Sequence, residues 1–457
     1  MAAEHSLMSE TIPRRSGTGP ETIPRYASYP TPASFHRGVG AERRDAWIAS
    51  LPAGARVAIY LHIPFCKRIC WFCHSRTQAV RRTDVVERYL DALVGEMARV
   101  ARVLPSGVTI ERVAWGGGSP TSLSPGQIRR LARESAALLP LGAVREFLAE
   151  VDPATAVHAA YEALAGVGLT AAAIGVQDLG PEVQAAIGRW QPASAVENAV
   201  AVLRAVGVEA IRVEQVYGLP KQTEASVART AAFVASLGPE RVAVTDYIHV
   251  PRIARRQQMI RVELLPGRPA RQAQFAAAAR VLVEAGYVQV GIDHFARPGS
   301  RLDLAARTDG VRRGFLGYEP RGEAALIGFG AGAISRLPQG FVANAGGTED
   351  YCRQVAREGA AVVRGVALGL EDRVRARAID LLLAGCDLDL GAIGTEFGDF
   401  ATVLRSGCAD AAAEYPGRVR FENGCLGLAP GDPELPRLVA RFLDGRKAAT
   451  GVGHKRG

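Results

Sequence analysis

Cys66, Cys70 and Cys73 stand in a C-x-x-x-C-x-x-C run that reads Cys66-Lys67-Arg68-Ile69-Cys70-Trp71-Phe72-Cys73-His74-Ser75. Thiols so spaced in a long chain point to metal or redox chemistry rather than to a disulfide framework. Four chemistries use runs of this kind. Cys70 to His74 has the C-x-x-C-H form of a covalent haem attachment, but that reaction needs an exported chain. The first 20 residues carry no apolar run, so no secretory signal is expected. A thioredoxin-like pair would employ Cys70 and Cys73 and leave Cys66 without a task. Tetrahedral zinc is chemically satisfied by three thiolates and His74, although adjacent Cys73 and His74 make awkward ligands for one ion. The fourth reading is an iron-sulfur cluster. Such clusters normally take four cysteines, so three leave one iron without a protein ligand, and an open position is the mark of a catalytic metal. A small molecule must fill it.

The cysteines follow the first of a series of regularly spaced elements. Short apolar runs alternate with segments of helical period, an order that predicts an α/β fold with a parallel sheet and helices outside it. Six strands are expected at 57–63, 110–115, 147–151, 172–176, 210–216 and 242–248, with a seventh at 288–292. Helices are expected near 84–103, 125–139, 155–167, 181–206, 224–237 and 270–286. The C-terminal ends of the six strands carry, in order, the cysteines, Gly116-Gly117-Gly118-Ser119-Pro120-Thr121, Glu150 with Asp152, Gln177 with Asp178, Glu214 with Tyr217, and Tyr247 with His249. A single Asp or Gly after a strand is an ordinary turn or cap residue. Six consecutive polar ends read as one site, because loops from successive strands of a parallel barrel converge at that rim.

Residues 1–50, rich in Pro, Ser, Arg and Tyr, are expected to form an extended arm, 51–350 the barrel with a substrate-side extension, and 351–457 a smaller α-rich domain. The length of 457 residues, with 48% hydrophobic and 22% charged, excludes fibrous and disordered classes. No uncharged apolar stretch reaches the ~18 residues of a membrane span, so no membrane partner is expected. The net charge of +9 comes from 51 Arg and 4 Lys interleaved with acids. That spread argues against a nucleic-acid-binding arm. The remaining cysteines, Cys352, Cys386, Cys408 and Cys425, are scattered and read as small hydrophobes. The expected location is the cytoplasm.

Three cysteines after a first barrel strand and a Gly-rich motif after the second resemble the radical S-adenosylmethionine (SAM) enzymes, and within them the chain is similar to the oxygen-independent coproporphyrinogen III oxidases. The resemblance rests on Arg25-Tyr26-Ala27-Ser28-Tyr29-Pro30-Thr31, Tyr60 to Cys73, Trp115 to Thr121, Glu150-Val151-Asp152-Pro153, Ile174 to Asp178, Val216 to Thr223, Asp293-His294-Phe295-Ala296-Arg297-Pro298, Gly317-Tyr318 and Gly328-Phe329-Gly330. These matches run colinearly from residue 24 to about 336. The resemblance implies a partial (β/α)6 radical SAM barrel and a 4Fe-4S cluster on Cys66, Cys70 and Cys73, its open iron bound by SAM, with a second SAM nearby. Tyr60, Gly117, Gly118, Ser119, Glu150, Gln177, Arg189, Glu214, Ile248 and Ile334 match SAM-contacting positions, and Tyr60 and Glu150 are the expected catalytic residues. The implied reaction is oxidative decarboxylation of two propionates to vinyl groups, giving protoporphyrinogen IX in haem biosynthesis. Its implied partners are the tetrapyrrole substrate and an electron donor such as flavodoxin or ferredoxin, with the chain a monomer.

The residue types suit those roles. Glycines allow backbone amides to approach a ligand, Glu150 and Glu214 accept from ammonium or hydroxyl groups, and Arg189 is a fork for a carboxylate. Tyr26 or Tyr29 on the arm, with dispersed arginines, would engage the tetracarboxylate. Several positions depart from the family pattern: Ser75 stands where a fourth, non-ligating cysteine is usual, Glu214 where aspartate is, and Trp190 where an acidic residue follows Arg189. The segment Arg312 to Tyr318 departs from a stretch that begins His-Arg-Asn. Two alternatives follow: a paralogous radical SAM enzyme of tetrapyrrole processing or methyl transfer, and a haem-binding or haem-delivery protein of the same superfamily.

Overall fold

The computed structural model describes residues 26–446 apart from residues 81 and 309. The first half of the expected arm, with Arg25, lies outside the described residues, as do 447–457. Arm residues 41–49 are helical (α1, Ala41–Ala49) rather than extended.

Val57 to Ile63 is apolar but for Tyr60 and His62 and is buried on both faces, the pattern of a central parallel strand. This strand, β1 (Arg56–Ile63), is followed by β2 (Thr109–Gly117), β3 (Glu146–Val151), β4 (Ala171–Gln177), β5 (Ala210–Tyr217) and β6 (Arg241–Asp246). Each pairs in parallel with the next, and all six fall where the sequence places them. The sixth ends two residues early, because the Tyr247 N–H turns to the Tyr217 carbonyl at 2.8 Å. The outer helices are α2 (Thr83–Val103), α3 (Pro125–Leu138), α4 (His158–Gly166), α5 (Pro181–Ile187), α6 (Ala193–Ala205), α7 (Glu224–Ser236) and α8 (Arg268–Glu284). Ser124 and Thr223 start α3 and α7 with reciprocal capping boxes.

Two departures shape the site. The single helix expected over 181–206 is two, because Gly188 ends α5 with φ 63° in the left-handed region. The expected seventh strand is present as β7 (Val288–Val290), but it pairs antiparallel with β8 (His294–Ala296) at the edge of the sheet.

A hairpin, β9 (Val311–Gly314) and β10 (Gly317–Pro320), stands apart from the main sheet. After it β11 (Ala325–Phe329) lies parallel to β1 on the side away from β2, and β12 (Ile334–Leu337), β13 (Gly340–Asn344) and β14 (Val362–Ala367) continue as an antiparallel meander. The twelve strands run β14-β13-β12-β11-β1-β2-β3-β4-β5-β6-β8-β7. The sheet therefore takes in a strand beyond residue 350, where the sequence pattern turns helical. The hairpin tip meets the inner face of the parallel strands: Leu316 packs with Ala114, Leu148, Ala171, Ala173, Ala210 and Tyr60. Small inward alanines leave it room. Its base is clamped where the strands begin, by Arg112 on Glu319 and by Arg241 Nη1, which donates to the Tyr318 carbonyl at 2.8 Å. Burial opposes charge on Glu319, but Arg112 and then Arg312 hold its carboxyl down at about 2.

After α9 (Arg301–Arg307) and α10 (Thr348–Glu358), the C-terminal helices α11 (Leu370–Leu383), α12 (Leu390–Phe397), α13 (Arg405–Glu414) and α14 (Leu435–Leu443) build a second core with β7 and the arm. Tyr26 and Tyr29 are buried in it, Tyr26 donating to Asp444 Oδ2 at 3.2 Å and Tyr29 accepting from the Gly445 N–H at 3.0 Å. Burial pushes the Tyr29 hydroxyl up to about 12, with Asp444 adding to it. This overturns the expectation that these tyrosines face a carboxylate substrate. Arg437 of α14 joins the two cores, donating to Asp246 Oδ1 at 3.0 Å and Asp293 Oδ2 at 3.1 Å with 1% of its side chain exposed. Among the described residues no helix is long and apolar enough to cross a membrane.

Removing one partner of a buried ionic network leaves uncompensated charge, which costs about 3–5 kcal/mol. Arg437→Met is expected to destabilise the protein by that order in denaturant titration, with the C-terminal helices losing protection from hydrogen exchange first. An unchanged midpoint would show that Arg437 does not hold the two cores together.

Candidate active site at the barrel rim

The loop after β1 carries the three cysteines and is fixed from three sides. Its first residues, Phe65–Cys66, pair with Gln78–Ala79. From the Gly-rich turn, the Gly118 N–H donates to the Ile63 carbonyl at 2.9 Å and the Ser119 N–H to the Phe65 carbonyl at 2.9 Å. From the break between α5 and α6, the Ile187 carbonyl accepts from the Trp71 N–H at 2.9 Å. A Cβ on Gly188 would lie 2.7 Å from the Trp71 ring, so glycine serves both the left-handed φ and the contact. From the segment after β6, Gln257 Nε2 donates to the Phe72 carbonyl at 2.8 Å, and Arg256 donates to the Thr77 carbonyl.

Asp152, just past β3, collects the charges behind the loop. Its carboxylate accepts from Arg68 through both oxygens at 3.3 and 3.2 Å, from Arg189 at 3.1 Å and from the Thr155 hydroxyl at 3.1 Å. Arg189 in turn donates to the Gly175 carbonyl at 2.7 Å, to Gln191 at 3.1 Å and, through Nη1, to Cys70 Sγ at 3.3 Å. The fork expected to meet a carboxylate ligand thus faces a protein carboxylate and a thiol.

Burial pushes the Cys66 thiol up to about 12, Cys73 and Cys70 adding to the effect. Burial raises Cys73 as well, while the Ser75 N–H, the Arg256 charge and the Ser75 hydroxyl pull it down. The three sulfurs therefore feel one another, yet no three His, Cys, Asp or Glu side chains among the described residues are gathered to grip a single ion. The iron of a cluster would supply the positive charge that buried thiolates lack. The residues fit a three-cysteine cluster.

Beside the cysteines the inner face of the sheet opens. Glu214 lies in the middle of a central parallel strand and is nonetheless exposed, and Tyr60, Gly117 and Glu150 are half-buried among buried neighbours. An exposed carboxylate inside a sheet marks a lumen. The Gly117 N–H donates to Glu150 Oε2 at 2.8 Å, and its φ of 94° with the His62 ring 2.2 Å from where a Cβ would stand requires glycine. Burial, then the charge of Glu214, pushes the Glu150 carboxyl up to about 8. Two such carboxyls fit a ligand that brings a positive charge and hydroxyl donors. His62 Nε2 donates to the Arg76 carbonyl at 2.9 Å, which leaves Nδ1 of the neutral ring to accept from the Tyr60 hydroxyl at 3.0 Å. Gln177 is buried at the end of β4 with φ 64°, and its Oε1 has no partner. A strained backbone and an unmet acceptor at one residue are marks of a binding position.

The expected site residues divide accordingly. Tyr60, Gly117, Glu150, Gln177 and Glu214 stand together at the lumen, and Gly118 and Arg189 support the cysteine loop. Ser119 is buried behind that loop, its hydroxyl 2.7 Å from Thr121 and accepting from the Asp152 N–H at 3.1 Å. Ile248 is half-buried after β6, its carbonyl accepting from Gln257 at 3.0 Å. Ile334 packs against the cluster of Phe35, Phe341 and Val366. Sequence reasoning missed His62, Arg256 and Gln257. His62 lies in an apolar run that reads as core, and the other two lie in a segment without period.

A family profile described as the Radical SAM superfamily matches residues 60–234. The chain is 37% identical to the oxygen-independent coproporphyrinogen III oxidase of Cereibacter sphaeroides over 92% of its own length and 94% of that protein. It is 38% identical to the enzyme of the same name from Paracoccus denitrificans, over 96% and 97%. Its fold superposes on coproporphyrinogen III oxidase from Escherichia coli, described as a radical SAM enzyme, with a TM-score of 0.86 at 30% identity, covering 92% of this chain and 97% of that one.

A carboxyl whose folded pKa lies above its unfolded value stabilises the fold at low pH and loses that contribution as pH rises through the folded pKa. The unliganded protein is therefore expected to lose stability between pH ~5 and ~8 as Glu150 gives up its proton. Glu150→Gln should flatten that part of the melting temperature profile. A wild-type profile already flat across it would show that Glu150 ionises freely.

Proposed function

Because the chain belongs to the oxygen-independent coproporphyrinogen III oxidase family of radical SAM enzymes, we propose that its barrel rim carries that family's reaction: oxidative decarboxylation of two propionates of coproporphyrinogen III to vinyl groups. The single observation that supports this most is the juxtaposition of three converging thiols with a lumen bearing Glu150 and Glu214. In this reading Cys66, Cys70 and Cys73 hold a 4Fe-4S cluster and the lumen holds SAM. When bound, these groups supply one electron and a 5'-deoxyadenosyl radical that takes a hydrogen atom from a propionate side chain.

The chain's own residues do the positioning. Glu150, oriented by the Gly117 N–H, and Glu214 would accept from a ligand ammonium or from hydroxyls, and a ligand cation would favour the ionised form of Glu150 against the burial that raises it. The Tyr60 hydroxyl, held by His62, closes the lumen wall next to Glu150. Burial lowers the affinity of His62 for a proton, which keeps the ring neutral beside Tyr60. Gln177 offers its free Oε1 to a ligand donor. Arg189 donates to Cys70 Sγ and ties it to Asp152. Ser75 sets the hydrogen bonding of Cys73 where a fourth cysteine is usual. The reading carries with it a one-electron donor of the flavodoxin or ferredoxin kind, a monomeric enzyme and a cytoplasmic location.

Reconstituted anaerobically and given dithionite, SAM and coproporphyrinogen III, the protein is expected to yield both 5'-deoxyadenosine and protoporphyrin by chromatography. Each of Cys66→Ser, Cys70→Ser and Cys73→Ser should lose the cluster's iron and both products while keeping the wild-type melting curve. Deoxyadenosine without vinyl products would point to a paralogous reaction. Stable haem binding with neither product would point to a haem-delivery protein.

Hydrogen bonds to cluster sulfurs raise the reduction potential, so Ser75→Ala is expected to lower the midpoint of the reconstituted cluster in a redox titration. An unshifted midpoint would deny Ser75 that role.

A further inference from the structure

Nine large apolar side chains are exposed among the described residues, and four of them, Trp190, Ile253, Met259 and Val262, at 62, 69, 57 and 55% exposure, lie on the two segments that brace the cysteine loop. Single exposed apolar residues are ordinary, but a group at one place marks a surface that meets something. The Trp190 carbonyl accepts from Arg68, and the segment 251–263 holds the loop through Arg256 and Gln257. That segment reads Pro251-Arg252-Ile253-Ala254-Arg255-Arg256-Gln257-Gln258-Met259-Ile260-Arg261-Val262-Glu263, with four arginines against one glutamate. Arg252, Arg255 and Arg261 are exposed, as is Lys67 on the cysteine loop itself. Trp190 also stands where the family pattern has an acidic residue, which removes a negative charge from this face.

We propose that this apolar and basic surface is the docking face for an acidic one-electron carrier protein. Apolar side chains ringed by arginine fit a protein patch bearing carboxylates, since charge complementarity steers encounter and a central apolar contact holds it. These side chains are more than half exposed, so they suit the surface of a macromolecule more than an enclosed small molecule. The face also lies close to the thiols. Trp190 follows Arg189, whose Nη1 is 3.3 Å from Cys70 Sγ, so a surface indole and a ligand thiol are separated by one residue and one hydrogen bond. The inference rests on the reading of the cysteines as cluster ligands. The step itself moves one electron. The carrier's reduced flavin goes from hydroquinone to semiquinone, the cluster on the three thiolates gains that electron, and no atom changes partner.

The test uses the reconstituted holoenzyme and an acidic flavodoxin as probe. Flavodoxin binding, measured calorimetrically, should tighten as salt is lowered, and Arg255→Glu combined with Arg261→Glu should weaken it by about tenfold or more. Met259→Asp should weaken it as well. In stopped flow the same variants should slow bleaching of the cluster absorbance by reduced flavodoxin to a similar degree, with bleaching by dithionite unchanged within about twofold. Variants that bind flavodoxin and accept its electron like the wild type would overturn the proposal. So would a wild type that fails to bind at low salt, or variants that lose affinity for coproporphyrinogen III alone. Salt-dependent binding that the variants abolish, in a protein that yields no deoxyadenosine with dithionite, would keep the docking face and sink the reaction assigned above.

Discussion

Asp152 accepts hydrogen bonds from two guanidinium groups at once, and the geometry of the cysteine loop depends on it. One group, on Arg68, belongs to the loop, and the other, on Arg189, belongs to the gap between α5 and α6. Without the shared carboxylate, two cations would crowd a set of thiols that needs positive charge only where it meets sulfur. With it, Arg189 is oriented to present one nitrogen to Cys70. Asp152 is itself placed by the hydroxyl of Ser119 from the Gly-rich turn, so three successive strand ends converge on one anion. Burial works against its charge, and the two arginines more than offset that.

The lumen follows the opposite rule. On the inner face Glu150 and Glu214 act on each other as like charges, and the charge of Glu214 adds to the burial that holds Glu150 toward neutral. The same low-dielectric setting that raises a carboxyl toward neutral strengthens its bond to an incoming cation. The half-buried surroundings that make Glu150 reluctant to ionise thus make it selective.

The parallel core was legible because buried central strands leave mostly apolar runs, as in Val57 to Ile63 or Ala171 to Val176, and the polar residues at their ends gave the rim. What escaped was fixed by contacts distant in sequence. The break in 181–206 is the exception, since Gly188 and Pro192 mark it locally; what the sequence did not show is the Trp71 ring that packs against Gly188 from more than a hundred residues away. The hairpin Val311 to Pro320 carries arginines and glycines rather than an alternating pattern, because its strands are paired with charges at the strand starts. Tyr26 and Tyr29 look like ligand-facing aromatics until α14 and its neighbours are assembled around them. His62 shares its run with core residues, and only the third dimension shows its ring between Tyr60 and the Arg76 carbonyl.

The β9–β10 hairpin fills the barrel from the end where the strands start, with Leu316 against a floor of alanines and Arg112, Arg241 and Glu319 sealing its base. The inner face is consequently blocked at that end, so Tyr60, Glu150 and Glu214 are approached from the rim that carries the cysteine loop, and the hairpin sets the depth to which a ligand can reach.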